Sequence, residues 1–276
     1  MNYVLLHIFR NTPFGRETFL QSLYFCKCIQ ARPVVYIPES DKFLFYFDKD
    51  TVQVDLDRSY LTSAETAKQN AEQLFEEMGI SPSFYTPKNY TASTLPDIST
   101  RFDYLCCPRS VSDVSSKIGL GHIGARVRRI IQHARFPVLI TSPVFKPWKR
   151  IAVLFGGSEN AVNALNLGLK LSMASGVDMT IFTLKEKEEA HYRKIVKKRL
   201  PEGLGEQAEK DWLFFDRPAF EEMLYAIPHD ALVVMGAYGH GPIKDVLFGS
   251  KLEKIQSTIG NPLLVIGPES RVELRP

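Results

Sequence analysis

Between Val233 and Ile266 the chain carries residue types, at a spacing, that suit a phosphate. The apolar run Val233-Val234-Met235 ends in Gly236; two residues separate Gly236 from Gly239, and nine separate Gly239 from the pair Gly249-Ser250. Lys251-Leu252-Glu253-Lys254-Ile255-Gln256-Ser257-Thr258-Ile259 is then apolar at helical spacing, Asn261-Pro262 stops the helix, and Leu263-Leu264-Val265-Ile266 reads as a buried strand. The order is strand, glycine loop, helix start, helix, strand. Glycines let the backbone approach a ligand with no side chain between, and a helix N-terminus offers unpaired N–H groups and a partial positive charge. Gly236, Gly239, His240, Gly249, Ser250, Lys251 and Leu252 are the candidate lining residues. A plainer reading stands beside this one: Ser250-Lys251-Leu252-Glu253 is also a capping box, and Gly236 could simply end a strand.

Other chemistry is thin. His240 suits either a phosphate contact or a solvated loop, and His229-Asp230 reads as a turn before a strand. Gly119 to Gly124 bears a faint similarity to a nucleotidyltransferase histidine element but lacks its first histidine. No Gly-x-Ser-x-Gly elbow, His-Glu-x-x-His or Walker A sequence occurs. Asp245 is the nearest carboxylate that could hold Mg²⁺ beside the glycine loop. Cys26, Cys28, Cys106 and Cys107 match neither a zinc nor a redox spacing and read as buried, reduced thiols.

The elements that must carry these residues alternate. In the second half, Ile151–Phe155, Met179–Leu184, Trp212–Phe215, Ala231–Met235 and Leu263–Ile266 read as strands. Between them fall helical stretches, the first entered by the turn 156–159 and carrying Ala161, Leu165, Leu167, Leu169 and Leu171, the others over 188–200, 218–227 and 251–259. Gly176 ends the first of these, and Gly168 lies on its packing stripe. The first half repeats the plan in worn form: strands at Tyr3–Phe9, Pro33–Ile37 and Tyr104–Cys107, helices at 17–30 and 63–78, and an inserted aromatic hairpin over 43–55. At an offset of 125, Gly124 matches Gly249, Pro137 matches Pro262, and Val138-Leu139-Ile140 matches Leu263-Leu264-Val265. The expectation is a duplicated α/β unit, residues 1–144 and 145–276. Each unit is a doubly wound, five-stranded parallel sheet of order 3-2-1-4-5 with helices on both faces.

The 276 residues carry a formal net charge of +3, with 45% hydrophobic and 24% charged residues. These values point to a globular chain and to neither nucleic acid nor an anionic membrane. No run of eighteen apolar residues is present, and the N-terminus lacks a basic leader with a small-residue cleavage site. The expected setting is therefore cytoplasmic.

Gly236, Gly239, Gly249 and Ser250, set in this alternation, resemble the nucleotide signature of the universal stress protein family in its tandem two-domain form. The resemblance covers the whole chain, most closely residues 149–267. It implies an adenine nucleotide, ATP or AMP, in the second unit, with Mg²⁺ as accompanying cation. The phosphates would lie on the glycine loop and helix start, and the adenosine beside Phe155, Gly156, Leu184 and Met235. Many nucleotide-binding members carry an Asp where this chain has Gly156; Ser158-Glu159 keeps the usual pair that follows. In the first unit, Ser110 to Ser116 replaces the two leading glycines and Ala125 the hydroxyl residue, so no nucleotide is expected there. Arg126, Arg128 and Arg129 are either an anion site or a solvated helix face.

Three functions follow: a nucleotide-responsive stress protein, a nucleotide-free tandem protein that takes an apolar ligand or a partner protein through the aromatic hairpin, or a slow ATPase. The resemblance implies that the apolar segments 138–140 and 263–266, the fifth-strand edges, pair as an intramolecular pseudo-dimer, and an exposed apolar edge, which invites aggregation, favours the same pairing. A further homodimer of the whole chain stays open.

Overall fold

The computed structural model describes residues 3–48, 50–56, 63–88, 93–109, 123–201, 203–216, 219–238 and 259–271. Its first half runs β1 (Val4–Ile8), α1 (Pro13–Ile29), β2 (Arg32–Tyr36), β3 (Lys42–Tyr46), β4 (Thr51–Asp55), α2 (Ala64–Glu77), β5 (Asp97–Ser99), β6 (Tyr104–Cys107), α3 (Ala125–His133) and β7 (Val138–Ile140). The second half runs β8 (Arg150–Leu154), α4 (Glu159–Ser175), β9 (Met179–Lys185), α5 (Glu189–Arg199), α6 (Leu204–Ala208), β10 (Trp212–Asp216), α7 (Phe220–Tyr225), β11 (Ala231–Gly236) and β12 (Leu263–Ile266).

Helix starts follow their capping residues. Ser158 accepts from the Ala161 N–H at 3.2 Å to open α4, and Gly176, in left-handed backbone at φ 68°, closes it. α1 begins four residues earlier than the apolar pattern implies. The reason is Thr12, whose hydroxyl accepts from the Gly15 N–H at 2.9 Å with Pro13 in the first turn. α6 and β5 are too short to leave a periodic signal and were not expected.

The strands form one nine-stranded sheet of order β10-β9-β8-β11-β12-β7-β6-β1-β2. Its second-half portion has the expected order 3-2-1-4-5. The halves meet where β12 lies antiparallel to β7, with Leu263 opposite Ile140, Leu264 opposite Leu139 and Val265 opposite Val138; the other pairings in this sheet are parallel. The first half departs from the expected five strands. Beside β2, among the described residues, the third place holds only a parallel bridge between Val35 and Phe84, with Val35 donating to the Ser83 carbonyl and Tyr85 to the Val35 carbonyl. Pro82 and Pro87 flank this segment, and a proline cannot donate to a ladder.

Alternation along the strands gives the sheet two apolar faces. Leu6, Ile8, Leu105, Val138, Leu154, Met235 and Val265 point to the face covered by α3, α7 and a small sheet of order β4-β3-β5. Leu5, Cys106, Leu139, Val153, Val234 and Leu264 point to the face covered by α1, α4 and α5. The aromatic hairpin belongs to the first face. Phe43, Phe45 and Phe47 are at most 3% exposed, so the insertion spends one face on the core; Tyr46, on the other face, is 42% exposed. Cys26, Cys106 and Cys107 are buried as expected; Cys28 differs in being half-buried, beside the Tyr24 hydroxyl. Among the described residues no helix is long and apolar enough to cross a membrane.

Candidate functional site

In a doubly wound sheet the ligand crevice opens at the carboxyl ends of the strands where the order reverses. In the second half that point lies between β8 and β11, where Leu154 is the register partner of Met235. One lip is Phe155-Gly156-Gly157-Ser158, running into α4. The other is Gly236-Ala237-Tyr238. Gly156 is half-buried at the lip, and Gly157 takes left-handed backbone at φ 77°.

The expected adenosine-side residues sit there, but their side chains face inward. Phe155 is fully buried, its ring edge-on to Trp212 at 5.5 Å and to Tyr192 at 6.4 Å. Leu184 is 2% exposed and Met235 fully buried, both in the core beneath α7. These three offer a ligand their backbone, and their side chains set the position of the lips. A buried polar chain reinforces that floor: the Trp212 indole N–H donates to Thr183 Oγ1 at 2.8 Å, and the Thr183 hydroxyl donates to the Phe155 carbonyl at 2.9 Å. At the rim, Lys185 pairs with Asp216 at 3.2 Å, and that carboxylate holds the Lys185 ammonium above its ordinary range.

Gly236 has a purpose that sequence spacing does not reveal. A Cβ there would come within 2.4 Å of the Asn160 carbonyl carbon and 2.7 Å of the Ala161 nitrogen. The glycine admits the backbone of the α4 start, so helix packing alone accounts for it. Asn160 then donates from Nδ2 to the Ala237 carbonyl at 2.5 Å, tying the two lips together. Asn160 was not anticipated; its only sequence signal is its place two residues after the helix cap. Tyr238 was also missed, because it fills one of the two unspecified places between Gly236 and Gly239. It is a non-glycine residue at φ 59°, a conformation that costs roughly 1–2 kcal/mol for an L residue. Its hydroxyl donates to the Arg128 carbonyl on α3 at 2.8 Å. Gly239, His240, Asp245, Gly249, Ser250, Lys251 and Leu252 lie outside the described residues.

The matching place in the first half is built differently. Phe9 donates to the Tyr36 carbonyl as Phe155 donates to the Phe182 carbonyl, which equates the ends of β1 and β8. Arg10 and Asn11 therefore stand where the second half has Gly156 and Gly157, and Asn11 is held by Asn70 at 2.8 Å. By strand register Pro108 stands where the second half has Gly236. Two of the three α3 arginines are paired within the first half. Arg126 pairs with Asp55, and Arg129 with Asp50 at 2.6 Å; the guanidinium of Arg129 holds the Asp50 carboxyl below its usual range.

A cleft of about 330 Å³ lies at the opposite end of the second-half strands, bordered by Lys146, Trp148, His229, Asp230 and Asn261. It is separate from the switch point. Among the described residues no group of three or more His, Cys, Asp or Glu could hold a metal.

No protein-family model matches the sequence, and no curated protein matches it. Solved structures do match in fold. A universal stress protein from Archaeoglobus fulgidus DSM 4304 superposes with a TM-score of 0.61 at 14% identity, over 96% of this chain and 98% of that one. A structure from Pseudomonas aeruginosa UCBPP-PA14 described as a universal stress protein gives 0.61 at 12% identity, over 98% and 94%. A protein of unknown function from Pseudomonas aeruginosa PAO1 gives 0.58 at 12%, over 97% and 93%. The chain has the tandem α/β fold of universal stress proteins.

Proposed function

We propose that this chain is a stress-response protein of the universal stress protein family, and that it binds ATP or AMP in its C-terminal half by the loop that leaves β11. The observation that carries this reading is the asymmetry of the two switch points. In the second half, glycines 156, 157 and 236 leave backbone at both lips, and Gly239, Gly249 and Ser250 follow in the sequence. In the first half Arg10, Asn11 and Pro108 take the matching places.

Binding rather than turnover carries the function. Phosphoryl transfer needs a metal and a positioned nucleophile as well as a phosphate cradle, and Gly156 leaves the β8 lip without a carboxylate. Mg²⁺ would accompany the nucleotide with Asp245 as its nearest protein carboxylate in sequence. The pairing of β7 with β12 makes the two halves a pseudo-dimer whose only nucleotide site is the second. Phe43, Phe45 and Phe47 of the aromatic hairpin are spent on the core and give no support to an apolar-ligand reading.

Isothermal titration of the full chain with ATP, ADP and AMP tests the proposal. One site per chain is expected, weakened at least tenfold in Gly249→Val, where a side chain would enter the phosphate space. Phosphate release at saturating ATP and Mg²⁺ should stay far below one turnover per second. Absence of binding by wild type, or equal binding by a folded Gly249→Val, overturns the reading.

A further inference from the structure

The cleft at the far end of the second-half strands has two walls, and the bonds that fix them use none of its charged side chains. The first wall is the link between the halves, residues 142–148. Gln21 of α1 donates to the Ser142 carbonyl and accepts from the Ser142 N–H, each at 2.9 Å; Glu17 accepts from the Phe145 N–H at 2.7 Å, and the Tyr24 hydroxyl donates to the Trp148 carbonyl at 2.9 Å. The second wall is the approach to β11 and β12. There Asn261 Nδ2 donates to the Pro228 and Ala231 carbonyls at 2.9 and 2.8 Å. The Lys149 N–H, donating to the Asp230 carbonyl at 2.8 Å, ties one wall to the other. A space of about 330 Å³ between walls fixed in this way is a preformed site for a small molecule.

The polar side chains that border the cleft are unpaired. Among the described residues, no side chain of Lys146, His229 or Asp230 makes an ion pair or hydrogen bond, although opposite charges share the one space. Trp148 is 4% exposed, its ring edge-on to Tyr24 at 5.6 Å, and among the described residues its indole N–H meets no acceptor. A buried indole N–H ordinarily has a partner. Val144, 58% exposed, and Pro143 add an apolar rim. A ligand with a carboxylate alone would leave Asp230 unanswered, and one with an amine alone would leave Lys146 and the Trp148 N–H unanswered. We infer that this cleft binds a free α-amino acid with an apolar side chain. The carboxylate meets Lys146 and the Trp148 N–H, the ammonium meets Asp230, and the side chain lies on Val144 and Pro143. Charge-assisted bonds at both ends fix the ligand's orientation. The site is separate from the switch point, and the inference does not rest on the nucleotide reading. An occupant that touches both walls stabilises the folded chain by mass action.

Calorimetric titration of the full chain with L-leucine, N-acetyl-L-leucine and L-leucinamide gives the first readout, and the melting temperature with and without L-leucine the second. One site per chain is expected for L-leucine, with a raised melting temperature. The acetylated and amidated forms each lack one charge and should bind at least about tenfold more weakly. Lys146→Met and Asp230→Asn change side chains that hold no part of the fold, so both variants should melt within a few degrees of wild type. Each should weaken L-leucine about tenfold, and each should erase one preference: Lys146→Met that for L-leucine over its amide, Asp230→Asn that for L-leucine over its acetylated form. Trp148→Phe keeps a ring and removes the donor, and should weaken L-leucine about three- to tenfold. Absence of L-leucine binding by wild type overturns the inference. So does equal affinity for the three compounds, or wild-type affinity for L-leucine in both Lys146→Met and Asp230→Asn. None of these outcomes bears on the nucleotide reading, which is titrated separately.

Discussion

His7 shows how a single residue sets a pH dependence. It lies in the middle of β1, fully buried, with its ring 4.9 Å from that of Phe19 and neither ring nitrogen hydrogen-bonded. Burial lowers its pKa from 6.5 to about 3. The folded protein therefore holds the imidazole neutral, whereas the unfolded chain protonates it near pH 6.5. Stability is unaffected above that pH, declines as pH falls below it, and stops declining for this reason near pH 3. By pH 4.5 the loss amounts to about 2–3 kcal/mol. Urea unfolding of wild type and His7→Leu at pH 7 and pH 4.5 reads it directly. The leucine variant should lose less stability between the two pH values, and equal losses would refute the assignment.

Between elements, the controlling feature is the close approach of β11 to the start of α4. Gly236 is needed there because backbone, not a flexible side chain, occupies the space of its missing Cβ. Backbone cannot swing aside, so Gly236→Ala should destabilise the fold by about 1–3 kcal/mol. A lowered denaturant midpoint at unchanged slope is the expected result; an unchanged midpoint would show that the helix start shifts freely. The α3–hairpin ion pairs work on the same scale with less energy. Arg129 is half exposed, and exposed pairs contribute about 0–1 kcal/mol each. Their part is to hold the hairpin in register over α3 while Phe43, Phe45 and Phe47 supply the burial.

For the molecule as a whole, the antiparallel seam of β7 and β12 decides how many sheet edges reach solvent. Val138, Leu139 and Ile140 are at most 2% exposed beneath the layers on the two faces, and β12 pairs the backbone edge of their strand. Residues 1–144 expressed alone would present that apolar edge to water, an aggregation template. Size-exclusion chromatography and urea unfolding should show this half associated or markedly less stable than the full chain. A monomeric half as stable as the whole would mean that the seam contributes nothing to folding.

Much of this was legible from local pattern. Buried apolar runs, the glycine at 176 and the hairpin over 43–55 all act over a few residues, so the sequence alone determined them. The parallel, doubly wound sheet of the second half follows from the alternation of strands and helices, whereas its strand order and the β7–β12 seam were expected from the family resemblance. Tertiary structure alone decided the rest. The third place of the first half holds a single bridge because prolines flank it. Phe155, Leu184 and Met235 turn their side chains into the core because strand alternation is read against the layer above, not along the chain. Gly236 serves α4, the α3 arginines meet the hairpin aspartates, and Tyr238 reaches Arg128. The Tyr238 contact depends on how the two halves are set around one shared strand edge, and the others on how distant elements of one half pack together; periodicity carries no record of either.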